Sequence, residues 1–255
     1  MSELPATELL PPPASGRTYA ADRTVRLGDV DRDGDARLDA IARYLQDVAT
    51  DDAIDAGLTT AMGWVVRRSL IRVTQPAVLN ERVELTTYCT GSGPSWAERR
   101  TVIRGEDGAE IDGVSLWVQI DVETGRPTRL GDEFVAAYGE AAAGRKVSAK
   151  FQLDQLPTDG AVEVPFSFRV TDVDVFGHLN NAAQWALADE LLQSNGFGRV
   201  GVGEVEFVTA SQVEGTATAR VDDEGFDAWY GADGTSSTVL RWRQMKLSSS
   251  GIGFS

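Results

Sequence analysis

Residues 174–181 read Asp-Val-Phe-Gly-His-Leu-Asn-Asn and contain the single histidine of the chain, His178. An acid, a glycine, an imidazole and two amides stand here just ahead of a helical pattern. If the turn opens a helix, its unpaired N–H groups and the helix dipole favour negative charge at that point. A carbonyl turning into an oxyanion in acyl transfer is such a charge, and amides near Gly177 and His178 would receive it. Glycine lets the chain turn tightly and lets a substrate approach the backbone. Asp174 would then serve as general base on water or as a nucleophile on the carbonyl carbon. Asp and Asn are also ordinary helix caps, and a lone His is more often a hydrogen-bonded structural residue. On these eight residues alone the cap is the simpler account.

The same pattern occurs twice. GDVDRDGDARLDAIARYLQD from Gly28 and TDVDVFGHLNNAAQWALADE from Thr171 lie 143 residues apart, and each opens an amphipathic stretch. Such internal repetition has to be read before the fold. In the first copy Leu38, Ile41, Ala42, Leu45 and Val48 recur at helical spacing and Gly57 can close the helix. In the second, Leu179, Ala182, Ala183, Ala186 and Leu187 form the face and Gly196 closes it. Ahead of the helices lie RTVRL and AVEVPFSFRV, which read as one strand each. After the first helix come WVVRRSLIRV, ERVELTTYCTG and a hairpin from WAERRTVIRG to AEIDGVSLWVQID. After the second come GVGEVEFVTA, TATARVDDEG, FDAWYGADG and SSTVLRWRQMK. Strand, helix and a run of antiparallel strands leave one apolar sheet face for the helix to cover. The fold expected is α+β: two tandem hotdog domains, each a long helix wrapped by a curved antiparallel sheet. The expected organisation is a flexible tail over 1–17, a domain over 18–138, a linker over 139–160 and a second domain over 161–255.

Asp29, Asp31, Asp33 and Gly34 of the first copy imitate the opening of a calcium loop, whose twelfth position should be a bidentate Glu but is Ala40. That copy reads as a solvated acidic turn. One His and one Cys, Cys89, leave no ligand set for a metal and no internal disulfide, which suits a reducing, cytoplasmic setting. The formal charge of −15 argues against nucleic acid as a partner. No apolar run approaches a membrane span, and the start of the chain lacks the features of a signal peptide. No serine sits in a nucleophile elbow.

The chain resembles the fatty acyl–acyl carrier protein thioesterases of plants and bacteria. VRLGDVDRDGDARLDAIARYLQDVATDDAIDAGL, then WVVRRSLIRVTQPAVLNERVELTTYCTGSGPSWAERR and SLWVQIDVETGRPTRL, then TDVDVFGHLNNAAQW follow the family's order. The resemblance implies tandem hotdog domains, a thioester substrate on acyl carrier protein or coenzyme A, and no cofactor. It assigns the catalytic Asp and His to Asp174 and His178. Where plant members carry an Asn between them this chain has Phe176, and where they carry a Glu and a Cys it has Ala210 and Ser211. The form Asp-x-Phe-Gly-His-x-Asn-Asn is similar to single-hotdog acyl-CoA thioesterases, in which the Asp and a glycine-turn amide, here Gly177, carry much of the chemistry. Thr209, Ser211, Gln212 or Glu214 would replace the missing groups. Thr209 and Ser211 are preferred, because alternation on a strand puts them on one face. Phe176, Asn180, Asn181 and Trp64 are expected on the substrate's side of the site, the two Asn also as helix-start scaffolding. The first half would shape an acyl tunnel, with Trp64, Trp96 and Trp117 as lining residues.

An acidic chain gains no long-range attraction for an acidic carrier. Docking would fall to local basic groups: Arg67, Arg68 and Arg72; Arg99, Arg100 and Arg104; or Arg241, Arg243 and Lys246. Those alternating arginines also read as solvated strand faces. A homodimer is compatible with the fold. The rival functions are an acyl-CoA thioesterase, a non-hydrolytic acyl-binding protein, and a dehydratase.

Overall fold

The computed structural model describes residues 9–58 and 63–245. Its centre is one ten-stranded antiparallel sheet, in the order β1-β3-β4-β5-β2-β7-β10-β9-β8-β6. The first half supplies β1 (Thr18–Thr24), β2 (Trp64–Gln75), β3 (Arg82–Ser92), β4 (Trp96–Gly105) and β5 (Glu110–Gln119). The second supplies β6 (Val162–Val164), β7 (Gly201–Phe207), β8 (Thr216–Asp222), β9 (Gly225–Ala232) and β10 (Thr235–Gln244). Read outward from the centre, the two halves have the same strand order. They join where β2 pairs with β7, from Arg68 opposite Glu206 to Val73 opposite Gly201. This is the tandem hotdog arrangement.

Helix α1 (Leu38–Asp55) lies in the concave face of the first half and buries Leu38, Ile41, Leu45 and Val48. It comes so close to β5 that a Cβ on Gly113 would meet Leu45 at 2.6 Å. The second-half helix is shorter than its sequence pattern: a 3-10 turn over Ala183–Trp185 leads into α3 (Ala186–Asn195), ended by Gly196 at φ 71°. One apolar cluster runs through both halves, from Leu45 and Ile71 to Trp185, Val205 and Trp242. Among the described residues no helix is long and apolar enough to cross a membrane.

Several local expectations need correction. The strand expected in RTVRL ends at Thr24, because the chain enters a 3-10 turn at Leu27–Asp29. The second-half strand keeps only three residues; beyond it, Phe166, Phe168 and Tyr230 hold the segment by edge-to-face stacking. A third helix, α2 (Asp132–Ala142), crosses the expected boundary between domain and linker. Gly131 opens it and Asp132 and Glu133 fill its first turn, where acids suit the dipole. From Leu10 onward the amino-terminal segment is tied down: the Leu10 carbonyl accepts bonds from Tyr88 and Arg100, and Arg17 pairs with Asp52 and Asp55.

The arginine clusters are not free faces either. Arg100 and Arg72 clasp Asp112, Arg241 and Arg243 clasp Asp227, and Arg68 lies 3.5 Å from Glu204. Alternation put these groups on the convex face, where the amino-terminal segment meets Arg100 and the segment before β6 lies over the β2–β7 seam. There Glu206 accepts the amides of Gln152 and Leu153, and Phe151 lies under the Arg67 guanidinium. Burial pushes the Glu204 carboxyl up to about 7, against the pull of Arg68. Lys246 lies outside the described residues.

Candidate active site

The two copies of the turn fold alike. In the first, the Asp31 amide donates to the Asp35 carbonyl, Gly34 to Asp31 and Arg37 to Asp29. In the second, Asp174 donates to His178, Gly177 to Asp174 and Asn180 to Asp172. Each glycine takes a positive φ, 90° at Gly34 and 78° at Gly177, which makes the tight reversal cheap. Asp29 and Asp172 each close the preceding 3-10 turn by accepting the amide three residues earlier.

The side chains differ. Asp174 is half-buried, and its carboxylate accepts the Phe176 amide at 2.9 Å. His178 is exposed, and its own amide has no partner among the described residues. The Gly177 amide, expected to receive an oxyanion, is already spent on the Asp174 carbonyl at 3.0 Å. Phe176 is 55% exposed and, like its neighbour Val175, stands outward.

Asn180 is the true cap: its side-chain oxygen accepts the Ala182 amide at 2.9 Å. The Asn181 amide is left without a partner among the described residues. Its counterpart in the first half is the Leu38 amide, and there the structure shows what such a position attracts. Asp189, reaching from α3, takes the amides of Leu38 and Asp39 at 3.0 and 3.1 Å, and Arg199 pairs with it. A carboxylate therefore sits on the amino end of α1, as expected of a helix terminus. The residue equivalent to Asp189 in the first half is Gln46, a neutral amide, and among the described residues no side chain bonds the Asn181 amide. A small cavity of about 10 Å³ opens there, with Gln46, Ser69, Ser115, Trp117 and Asn181 in its wall.

Thr209 and Ser211 do not share a strand face, because β7 ends at Phe207. The amides of Val208 and Thr209 both turn to the Ser237 carbonyl, where β10 carries a bulge. Thr209 is exposed. Ser211 is 2% exposed, and its hydroxyl lies 2.9 Å from those of Ser237 and Thr238 and 3.2 Å from the Gln184 carboxamide oxygen. Its carbonyl accepts the Leu179 amide, and Gln184 in turn donates to the Leu179 carbonyl. Ser211 thus fastens the turn to the sheet and has no free hydroxyl for water.

A model of the acyl-ACP thioesterase N-terminal domain matches residues 16–138. The uncharacterized protein Rv2001 of Mycobacterium tuberculosis is 30% identical over 181 residues, 71% of this chain and 72% of that one. The chain belongs to the acyl-ACP thioesterase family. The chloroplastic oleoyl-acyl carrier protein thioesterase 1 of Arabidopsis thaliana is 26% identical over 137 residues, covering 48% of this chain and 38% of that protein. Two solved structures share the fold. An acyl-ACP thioesterase from Bacteroides thetaiotaomicron aligns with TM-score 0.74 at 16% identity, covering 89% of this chain and 97% of that one. The 12:0-ACP thioesterase from Umbellularia californica aligns with TM-score 0.68 at 18% identity, covering 89% and 98%.

In this acyl-ACP thioesterase fold, a larger cavity of about 90 Å³ lies between α1, α2 and the first-half sheet. Trp64, Trp117, Cys89, Ala97, Phe134 and Tyr138 contribute to its wall. Burial raises the Cys89 thiol above its usual range, so it stays neutral there. Two wall residues, Arg99 and Tyr138, donate to the buried Asp52 carboxylate, which also accepts Arg17. Trp117 belongs to the walls of both cavities. Trp96 does not line them; its indole donates to the Val147 carbonyl. Sequence reasoning named Asn181 but not its backbone amide as a donor, and did not name Gln46. The repeat held the signal for both, since aligning the halves sets Asn181 against Leu38 and Gln46 against Asp189.

Proposed function

We propose that the chain hydrolyses fatty acyl thioesters of acyl carrier protein, in the cytoplasm, as a step of fatty acid biosynthesis. The observation that carries this reading is the vacant helix start that follows the Asp174 turn in the chain: a backbone amide at Asn181 unpaired among the described residues, where the other half holds a carboxylate. A tetrahedral oxyanion carries the same charge and would take the same donor. The Asp174 carboxylate removes a proton from water as the water oxygen bonds to the thioester carbon. The intermediate collapses by breaking the C–S bond, and the leaving thiolate takes up the proton. The products are a free acid and the carrier thiol. His178, exposed at the turn, orients water or the carbonyl. The acyl chain runs past Trp117 into the larger cavity, whose wall is mostly apolar. No metal or cofactor has a step in this scheme.

The test is thiol release from a series of acyl thioesters presented on acyl carrier protein and on coenzyme A. Faster release from the carrier protein is the expected result. Faster release from coenzyme A keeps the hydrolase and replaces the carrier. Folded protein that releases no thiol from any member of the series overturns the reading.

A further inference from the structure

The small cavity at Asn181 is polar in a way that a saturated chain does not require. Its wall includes Ser69 and Ser115, 5% and 8% exposed, whose hydroxyls touch only each other, at 3.5 Å. That separation is well beyond the usual O–H···O distance. The two residues face each other across β2 and β5, on the concave side beneath α1. The Trp117 indole N–H, two residues along β5 on the same face, is buried without a partner. Gln46 of α1 brings a carboxamide with no side-chain hydrogen bond among the described residues. Buried polar groups left short of partners are costly, and such a group in a native fold calls for an explanation. Ser69, Ser115 and Trp117, with the half-buried Gln46, all line this one small cavity.

We infer that this cavity is a subsite for an oxygen on the acyl chain, a hydroxyl or keto group close to the thioester, so that oxygenated acyl thioesters are preferred over saturated ones. The inference rests on the proposed thioesterase reading for the position of the chain. A hydroxyl entering the cavity would accept from Trp117 and bond with Ser69 and Ser115; a keto oxygen would accept from the same groups. A methylene in that place leaves the indole N–H unpaired and the two serines with only their long mutual contact. Sites built around a substrate's polar group discriminate strongly against analogues lacking it, far more than a pocket discriminates over one methylene.

The experiment compares 3-hydroxyacyl and saturated acyl thioesters of equal chain length on the full chain, in the wild type, Trp117→Phe and Ser69→Ala/Ser115→Ala. It adds calorimetric binding of the free 3-hydroxy and saturated acids, which needs no turnover. In the wild type we expect a ratio of kcat/KM of about 10 or more in favour of the hydroxylated chain, one good hydrogen bond's worth. Either variant should bring that ratio to within about 3, with the calorimetric preference falling in parallel. Equal wild-type handling of the two chains, in turnover and in binding, overturns the subsite. So does a Trp117→Phe loss that is the same for both chains, since the indole would then serve the thioester carbonyl. If no thioester is cleaved but the hydroxy acid still binds more tightly, the hydrolase reading falls and the subsite stands.

Discussion

At Asp31 the carboxylate accepts the amides of Asp33 and Asp35, pairs with Arg199 at 2.8 Å and accepts the Gln193 side chain. At Asp174, 143 residues later on the same backbone path, it accepts one amide and otherwise stands open. Each carboxylate is placed by the same glycine turn. The difference lies in what the opposite half brings to it. The second half brings a cation and an amide to the first turn and seals it. On the proposed reading, such a contrast teaches how a catalytic turn is recognised: by the partners it lacks, since its backbone is that of its structural twin. The same holds one turn further on, where the start of α1 is occupied by Asp189 and the start of the second helical segment is vacant.

Substitution at Asp174 should have the largest effect. Asp174→Asn should lower thioester hydrolysis by roughly 10²–10⁴, the range for loss of a positioned base, with the thermal midpoint unchanged. Hydrolysis at the wild-type rate would reduce Asp174 to a second Asp31. Next is Asn181→Pro, which deletes one N–H at a helix start where proline is tolerated. A loss of roughly 10²–10³ in kcat, typical of an oxyanion donor, is expected in steady-state assays. A change confined to KM would remove the amide from the chemistry.

Third, Arg199→Met should destabilise the fold by about 3–5 kcal/mol in urea titration, because it strands two largely buried carboxylates, while activity per folded molecule persists. A negligible loss would show that the first turn is not held as described. The smallest effect concerns pH. Burial alone would raise Asp31, but the bonds and charge of Arg199 and the two turn amides hold it below the usual carboxylate range. Its contribution is complete above the unfolded value, about 3.9, and is lost as pH falls through the lower folded value. The stability gap between wild type and Asp31→Asn should therefore narrow below about pH 4. A gap that stays constant on acidification would break the linkage.

The repeat made the architecture legible, because two matching turns, each followed by a helix and strands, admit few arrangements. It also placed Asp174, Gly177 and His178 on one turn. It did not show that the Gly177 amide would be consumed by that turn, since the Asn181 amide competes for the same role only once the helix start is seen. Thr209 and Ser211 were misread for a different reason. Alternation assumes the strand continues, and the bulge on β10 ends β7 before they are reached. The arginines show a third limit: period-two patterning identifies a polar face but not that another part of the chain lies over it. Helix α2 went unread because no apolar run demanded it, although Gly131, Asp132 and Glu133 open it.

In a homodimer built from one such unit, every position is inherited twice, so an acid that plugs one helix start would plug both. Joining the units along β2 and β7 makes each position two positions. Position 189 can then remain an acid and stiffen the frame while position 46 becomes an amide and leaves room. Fusion here bought asymmetry: one turn is free to specialise because the other is not required to work.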